Sequence, residues 1–387
     1  MTCGWQVYTV FACDARSLPE RVRVLVTTRK EDIAQGCDAE ALMIHGLTLE
    51  QSLTLIAEVT KINVEDVKQI ETVGAVIKRL GGNTLGVQLV SRLVARSRAI
   101  TWGNVLGKME KWEGDVQAIP DNPDLDQANK HHISVFACLA MSLDDLRQTS
   151  EEAARDCLGT GTLAAGVVVP LDVLRSLWDC EDDLDAQVLI DELALRHLVS
   201  PHFGDDGSIE GLSLHSLQTA FYAHKLPAGE GLSAVHEALL RRVRESCRAV
   251  QEDKPHDTSW VRIALKGTYM GQHLPRHLLG VLQSEGGELD EWLAASTAVL
   301  NQMLDKGRYF GLLEDMGRKA LAVREKALGV DHPSYATSLN NLAGLLHDQG
   351  KHDAAEPLYR RALAVREKAL GVEQPSYATT LRCLEQL

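Results

Sequence analysis

Paired cysteines are missing from this chain. Eight cysteines stand singly at Cys3, Cys13, Cys37, Cys138, Cys157, Cys180, Cys247 and Cys383, none in a Cys-x-x-Cys pair. That spacing excludes a zinc ribbon or thioredoxin-type site at the motif level, and the thiols read as reduced and mostly buried. Aromatics are only 5% of the 387 residues and glycine shows no period. A collagen-like chain is excluded and an aromatic-rich barrel is disfavoured. No apolar run approaches the roughly 18 residues of a membrane span. The apolar patch Val7–Cys13 has no basic segment before it, so it is a poor secretory leader. We therefore expect a cytoplasmic protein with no membrane contact. Cations are also scarce: Lys and Arg total 40 against 54 Asp and Glu, a net charge of −14. Such a chain repels phosphate backbones, and no nucleic acid is expected as a partner. Catalytic signatures are absent as well. There is no Gly-x-Ser-x-Gly, no His-Glu-x-x-His and no Gly-x-x-x-x-Gly-Lys-Ser/Thr. The adjacent His131 and His132 diverge on a helix without an i+4 partner, so metal is not expected. No catalytic activity is expected of this chain alone.

What is present begins with a repeat. ALAVREKALGVDHPSYAT at 320–337 recurs as ALAVREKALGVEQPSYAT at 362–379, an offset of 42 residues with two differences, Asp331/Glu373 and His332/Gln374. Between the copies Leu339, Leu342, Ala343 and Leu346 follow i, i+3, i+4, i+7, which predicts one helix ending at Gly350. Ala354, Ala355, Leu358, Ala362, Leu363 and Val365 predict a second, closed by Gly371 and Pro375. A more degenerate unit spans Ala294–Ser334, and a third copy starts at Ala378 and is cut off at Leu387. A helix pair of this period with alanines at the contact positions resembles the tetratricopeptide repeat in its longer kinesin-light-chain variant. The likeness implies protein partners, a homo-oligomer among the possibilities. Two units and a fragment fall short of the roughly three a free stack needs, so they are expected to lean on the preceding helices or to belong to a natural chain that continues.

Upstream, RVRVLVTTR at 21–29 reads as a strand through Val22–Val26, and Ala41–Ile44 as a second short one. The pattern then turns helical. Thr48 and Gln51 predict a capping box. Asn63 caps a helix carrying Val64, Val67, Ile70, Val73 and Ile77, broken by Gly81–Gly82, and Thr84 opens the next. Further on, VVVPLDVLRSLWD, DAQVLIDELALRHLVSP, a polar turn at Gly204–Gly207 and GLSLHSLQTAFYAHKL predict helix, helix, hairpin and closing helix. The strand-end Arg29, the GGNTLG turn and LHSLQTAF, in this order, resemble the NB-ARC (STAND) class of signalling NTPases, its apoptotic branch in particular. The likeness covers roughly residues 20–290.

The resemblance implies a mainly α chain in five parts: a truncated α/β nucleotide-binding remnant (1–46), helical domain 1 (47–112), a winged helix (113–226), helical domain 2 (227–293) and α-α tetratricopeptide repeats (294–387). It implies ADP or ATP as cofactor and a nucleotide-dependent switch. Arg29 would sense the γ-phosphate, Gly81, Gly82 and Thr84 would line adenine, and His215 would reach the β-phosphate. Two positions depart from the family: Thr84 stands where a proline is usual, and Ser216 where an aspartate follows the histidine. The phosphate loop is missing, and Asp14 is a poor magnesium ligand by spacing. Nucleotide binding by this chain is therefore expected to be weak or absent, and the alternative is a non-nucleotide adaptor working through its repeats. A DNA-reading role is disfavoured because the second winged-helix segment, 185–198, sets Asp185, Asp191 and Glu192 against Arg196.

Overall fold

Thr48 starts the first described helix by satisfying two orphan amides at once. Its Oγ1 accepts the Gln51 N–H at 3.2 Å, while Gln51 Oε1 accepts the Thr48 N–H at 2.9 Å. The computed structural model describes residues 45–96, 100–113, 130–226, 231–248, 258–282, 289–303 and 310–387. The expected strands at Val22–Val26 and Ala41–Ile44, with Asp14 and Arg29, lie outside these residues. The described protein is mainly helical with one small three-stranded sheet.

Among the described residues five helices come first: α1 (Leu49–Thr60), α2 (Val64–Lys68), α3 (Glu71–Leu80), α4 (Thr84–Arg96) and α5 (Trp102–Glu113). The apolar run after Asn63 predicted one helix, and the structure divides it. Asn63 caps α2 as expected, its Oδ1 accepting from Glu65 N–H at 2.9 Å. At Gln69 and Ile70 the backbone tightens to i−3 bonds, and Ile70 turns extended before α3. The apolar spacing survives this break because Val67, Val73 and Ile77 all still face the core.

Next come α6 (Lys130–Thr149), α7 (Glu151–Gly159), β1 (Val169–Pro170), α8 (Leu171–Trp178), α9 (Asp183–Ala194), β2 (Ser200–Phe203), β3 (Ile209–Ser213) and α10 (Ser216–Lys225). The sheet order is β1-β3-β2, all antiparallel, with Val169 opposite Leu212 and Pro201 opposite the same Leu212. Asp206 shapes the hairpin turn by accepting from both the Ser208 N–H and hydroxyl, which holds its carboxyl below the usual range. The helix expected to run to Leu198 stops at Ala194. His197 lies in the left-handed region at φ 53°, and the Leu198 N–H returns to Leu193 O.

The chain continues with α11 (Leu232–Arg248), α12 (Ser259–Ala264), α13 (Met270–Val281), α14 (Leu289–Met303), α15 (Phe310–Leu328), α16 (Pro333–Asp348), α17 (His352–Leu370) and α18 (Pro375–Glu385). Gly350, at φ 72°, follows α16 where the sequence placed the stop. Residues 47–387 form one compact unit. Its main core runs without a break from Leu53 on α1 to Leu345 on α16, through Leu313, Met316 and Ala320 on α15.

Gly211 on the central strand has no room for a side chain, because a Cβ would collide with the backbone carbonyl of Val169. Gly211→Ala is expected to cost about 1–3 kcal/mol by forcing β1 away from β3. Urea unfolding measures this, and an unchanged midpoint would contradict the tight strand contact.

Candidate functional site

The repeat layers are built from small residues that let helices approach closely. Tyr335, Ala336 and Leu339 on α16 pack against Ala362 and Val365 on α17. Leu342, Ala343 and Leu346 meet Ala355 and Tyr359 one turn further on. Pro333 and Pro375 occupy the first positions of α16 and α18, where a missing N–H removes no helix bond. His332 caps α16, its Nδ1 accepting from the Ser334 N–H at 3.1 Å.

Each copy of AVREKAL buries its arginine. Arg324 donates to Ser338 Oγ on α16, to Leu293 O at 2.9 Å and to Thr297 Oγ1 at 3.0 Å on α14. Arg366, its equivalent 42 residues later, donates to Thr380 Oγ1 and to Ser376 O at 2.6 Å on α18. Thr380 in turn donates to Asn340 Oδ1 on α16 at 2.8 Å. These guanidinium groups tie three consecutive helices with hydrogen bonds that a lysine could not fork. They were not singled out in the sequence, although a repeated arginine inside an apolar stripe is the signal that marks them. Charged contacts line the edge of the same layers. Lys368 reaches Asp331 at 2.6 Å, and Arg361 lies over the Tyr335 ring at 5.2 Å and 3.8 Å from Glu325.

The comparison with known families falls on these layers. Residues 313–382 match the tetratricopeptide repeat. That match supports a role in protein–protein interaction and bears on no other part of the chain. A search among curated proteins finds no match.

Of the residues expected at a nucleotide, Gly81, Gly82 and Thr84 sit at the α3–α4 turn and His215 at the start of α10. Arg29 lies outside the described residues. Gly81 caps α3 at φ 59°. Gly82, at φ 69°, accepts the Leu47 N–H at 2.8 Å, and a Cβ there would strike the Leu47 backbone. Thr84 is the first residue of α4, while Asn83 Oδ1 caps that helix on Gly86 N–H at 3.0 Å. Chain packing alone thus requires Gly82. His215 is exposed and caps α10: its Nδ1 accepts the Leu217 N–H at 3.1 Å and its own N–H goes to Gln218 Oε1 at 2.8 Å.

A polar relay connects α4 to His215. Arg92 on α4 donates through Nε to His197 Nε2 at 3.0 Å, and Gln218 Nε2 donates to His197 O at 3.0 Å and Leu198 O at 2.9 Å. Burial and the adjacent Arg92 charge lower the His197 pKa to about 4, so the ring stays neutral and accepts. Arg196 beside it is buried and donates to Asp145 Oδ2 at 3.0 Å and Thr149 Oγ1 at 2.8 Å. It is therefore not available to a phosphate. The outward side of α9 instead shows Leu184 at 64% exposure and Val188 at 60%.

A cavity of about 460 Å³ lies against α8 and α11, lined in part by Asp172, Arg175, Asp179 and Arg242. Gly81, Gly82, Thr84 and His215 do not line it. Among the described residues no group of three or more His, Cys, Asp or Glu could hold a metal ion. Among the same residues no helix is long and apolar enough to cross a membrane.

A second cluster that sequence reasoning missed joins α11 to α13. His236 Nδ1 and His277 Nδ1 are 2.8 Å apart and buried, and His277 Nε2 is 3.3 Å from the Tyr269 hydroxyl. Tyr269 accepts from the Ala164 N–H at 3.0 Å. One neutral arrangement satisfies the chain: Tyr269 donates to His277 Nε2, and His277 Nδ1–H donates to His236 Nδ1. No spacing marks this pair in the sequence, since the two residues lie 41 positions apart.

Two measurements check these assignments. Arg366→Leu removes the staple and strands buried acceptors on α18, an expected cost of about 1–3 kcal/mol read in thermal unfolding. Equal stability would show that the staple carries no net load. Burial lowers the His236 pKa to about 3 and holds His277 well below its ordinary value. Both must be neutral in the fold, so the stability present above the unfolded value of about 6.5 is lost as pH falls from there toward about 3. The chain is therefore expected to be less stable at pH 5.5 than at pH 7.5. Urea titrations at pH 7.5 and 5.5 that give equal stability would contradict a neutral pair.

Proposed function

We propose that this chain is a protein-interaction scaffold whose tetratricopeptide repeats bind partner proteins. The observation that carries the reading is the family match over 313–382, which falls on stacked helix pairs stapled in register by Arg324 and Arg366. The upstream region serves as the base on which the repeats are seated. For that base we read helical domain 1, a winged helix and helical domain 2 of the NB-ARC kind. The order of α8, α9, the β2–β3 hairpin and α10, with the β1-β3-β2 sheet, supports the winged-helix reading. In this reading the base is structural, because the chain has no phosphate loop.

A second reading keeps the nucleotide. It makes the chain an NB-ARC-type switch of the ADP-binding class, with Arg29, Gly81, Gly82, Thr84 and His215 around ADP or ATP. The relay from Arg92 through His197 and Gln218 to His215 favours it, since such a path would let the α3–α4 turn and α10 respond together. Against it, His215 Nδ1 is already engaged by the cap, which leaves only Nε2 for a phosphate.

Cross-linking of the chain to proteins it captures tests the scaffold. Partner cross-links are expected at Lys319, Lys326, Lys351 and Lys368, and not at Lys61, Lys68 or Lys78. The opposite distribution would place binding on the base. Calorimetry with ADP separates the two readings. No saturable binding is expected; micromolar affinity that disappears in His215→Ala would establish the switch instead.

A further inference from the structure

The most exposed apolar side chains gather in one place. Among the described residues Leu184, Val188, Leu195 and Phe203 are the four large hydrophobics with the greatest exposure, at 60% to 64%. Leu184, Val188 and Leu195 stand at i, i+4 and i+11, which sets them along one line of α9 and its helical cap residue. Ala186, Ile190 and Leu193 occupy the opposite side and are buried. The helix thus carries two apolar faces, and the fold uses one. Phe203 joins the outer line through the sheet. Gln187 Nε2 on α9 donates to Ile209 O at 2.7 Å, and Ile209 pairs across the strands with Phe203. Described helices and strands precede and follow this face in the chain and leave it open.

The rim is acidic. Between Ser176 and His224 the chain holds ten Asp and Glu against a single Lys or Arg, Arg196, which is buried on Asp145 and Thr149. Asp191 sits within the apolar line at i+7 and Asp185 borders it. Both are exposed, and neither forms an ion pair among the described residues. Asp205 and Asp206 carry the same sign onto the β2–β3 turn. An exposed apolar patch rimmed by charge marks a contact site, and here the sign selects the occupant. A phosphate backbone and an anionic lipid surface are both repelled. A basic amphipathic helix is matched twice: its apolar side covers Leu184 and Val188, and its cations meet Asp185 and Asp191.

We propose that the outer face of α9, with Phe203 beside it, is a docking site for a basic amphipathic helix of a partner protein. The site goes beyond the scaffold reading, because it lies on the base and not on the repeats, and it gives the chain a second partner surface. Residues 176–224 contain no lysine, so amine cross-links on the repeats and binding at this face hold or fail independently.

The probe is a helical peptide of leucine and lysine, with leucines at i, i+4, i+7 and i+11, titrated into the full chain by fluorescence anisotropy. Saturable binding is expected, and none for the same peptide with glutamate in place of lysine. Val188→Asp is expected to weaken binding more than about tenfold, because a carboxylate then enters the apolar contact. Asp191→Lys is expected to cost roughly two- to fivefold, the range of an exposed ion pair. Both positions are exposed, and circular dichroism checks that the variants keep their helices. Val188→Cys supplies a second readout. Maleimide labelling at that residue, located by mass spectrometry, is expected to be fast in the free chain and slowed by the lysine peptide. Absence of binding, equal binding of the glutamate peptide, or binding indifferent to both Val188→Asp and Asp191→Lys overturns the proposal. Slow labelling in the free chain overturns it too. Protection that grows with protein concentration assigns the face to a second copy, and protection that does not assigns it to a segment of the chain itself.

Discussion

Arg324 holds the repeats onto the rest of the protein. One guanidinium reaches α14 through Leu293 O and Thr297 and α16 through Ser338, while its own helix packs between them. A buried guanidinium without these acceptors would be costly, so the three helices are fixed in one register. The apolar core enforces the same seat. Leu300, Leu313, Met316, Ala320 and Leu345 belong to the cluster that begins at Leu53. The first repeat is therefore not an appended module but the last part of a continuous interior. The first repeat thus has a buried neighbour on its upstream side.

The upstream half is organised by polar junctions set into that core. Arg196 pins α9 to α6 through Asp145 and Thr149, and the His236–His277–Tyr269 chain pins α11 to α13 and to Ala164. Each junction is saturated internally, so each acts as a register device more than as a binding group. The relay from Arg92 to His215 is built in the same way. His197 is held neutral and His215 caps α10.

Much of the local structure was legible in the sequence. The capping box at Thr48, the cap at Asn63, the left-handed stop at Gly81 and the helix pair between the two repeat copies all rest on short-range chemistry. The hairpin between α9 and α10 was legible for the same reason, from Asp206 and Gly207. The errors came where tertiary packing overrode a period. A single apolar spacing ran through α2 and α3, although the backbone breaks at Gln69–Ile70. The helix after Asp183 stopped short because His197 turns left-handed to present its ring to Arg92. For the expected nucleotide residues, a glycine pair and a helix-start histidine look alike in sequence whether they serve a ligand or a turn. Here Gly82 is demanded by the Leu47 backbone, and His215 by the first turn of α10.

The sequence by itself determined the repeat, its 42-residue period and the match of its helices to the tetratricopeptide class, because periodicity and capping act over a few residues. It also determined the acidic balance. Only the tertiary structure decided which side chains are engaged and which are open. It buried Arg324 and Arg366, paired His236 with His277 across 41 residues, and covered Leu339 while leaving Leu381 exposed. Identical or nearly identical segments thus received different environments. Burial depends on which neighbour packs against a face, and that neighbour is supplied by the fold and not by the segment.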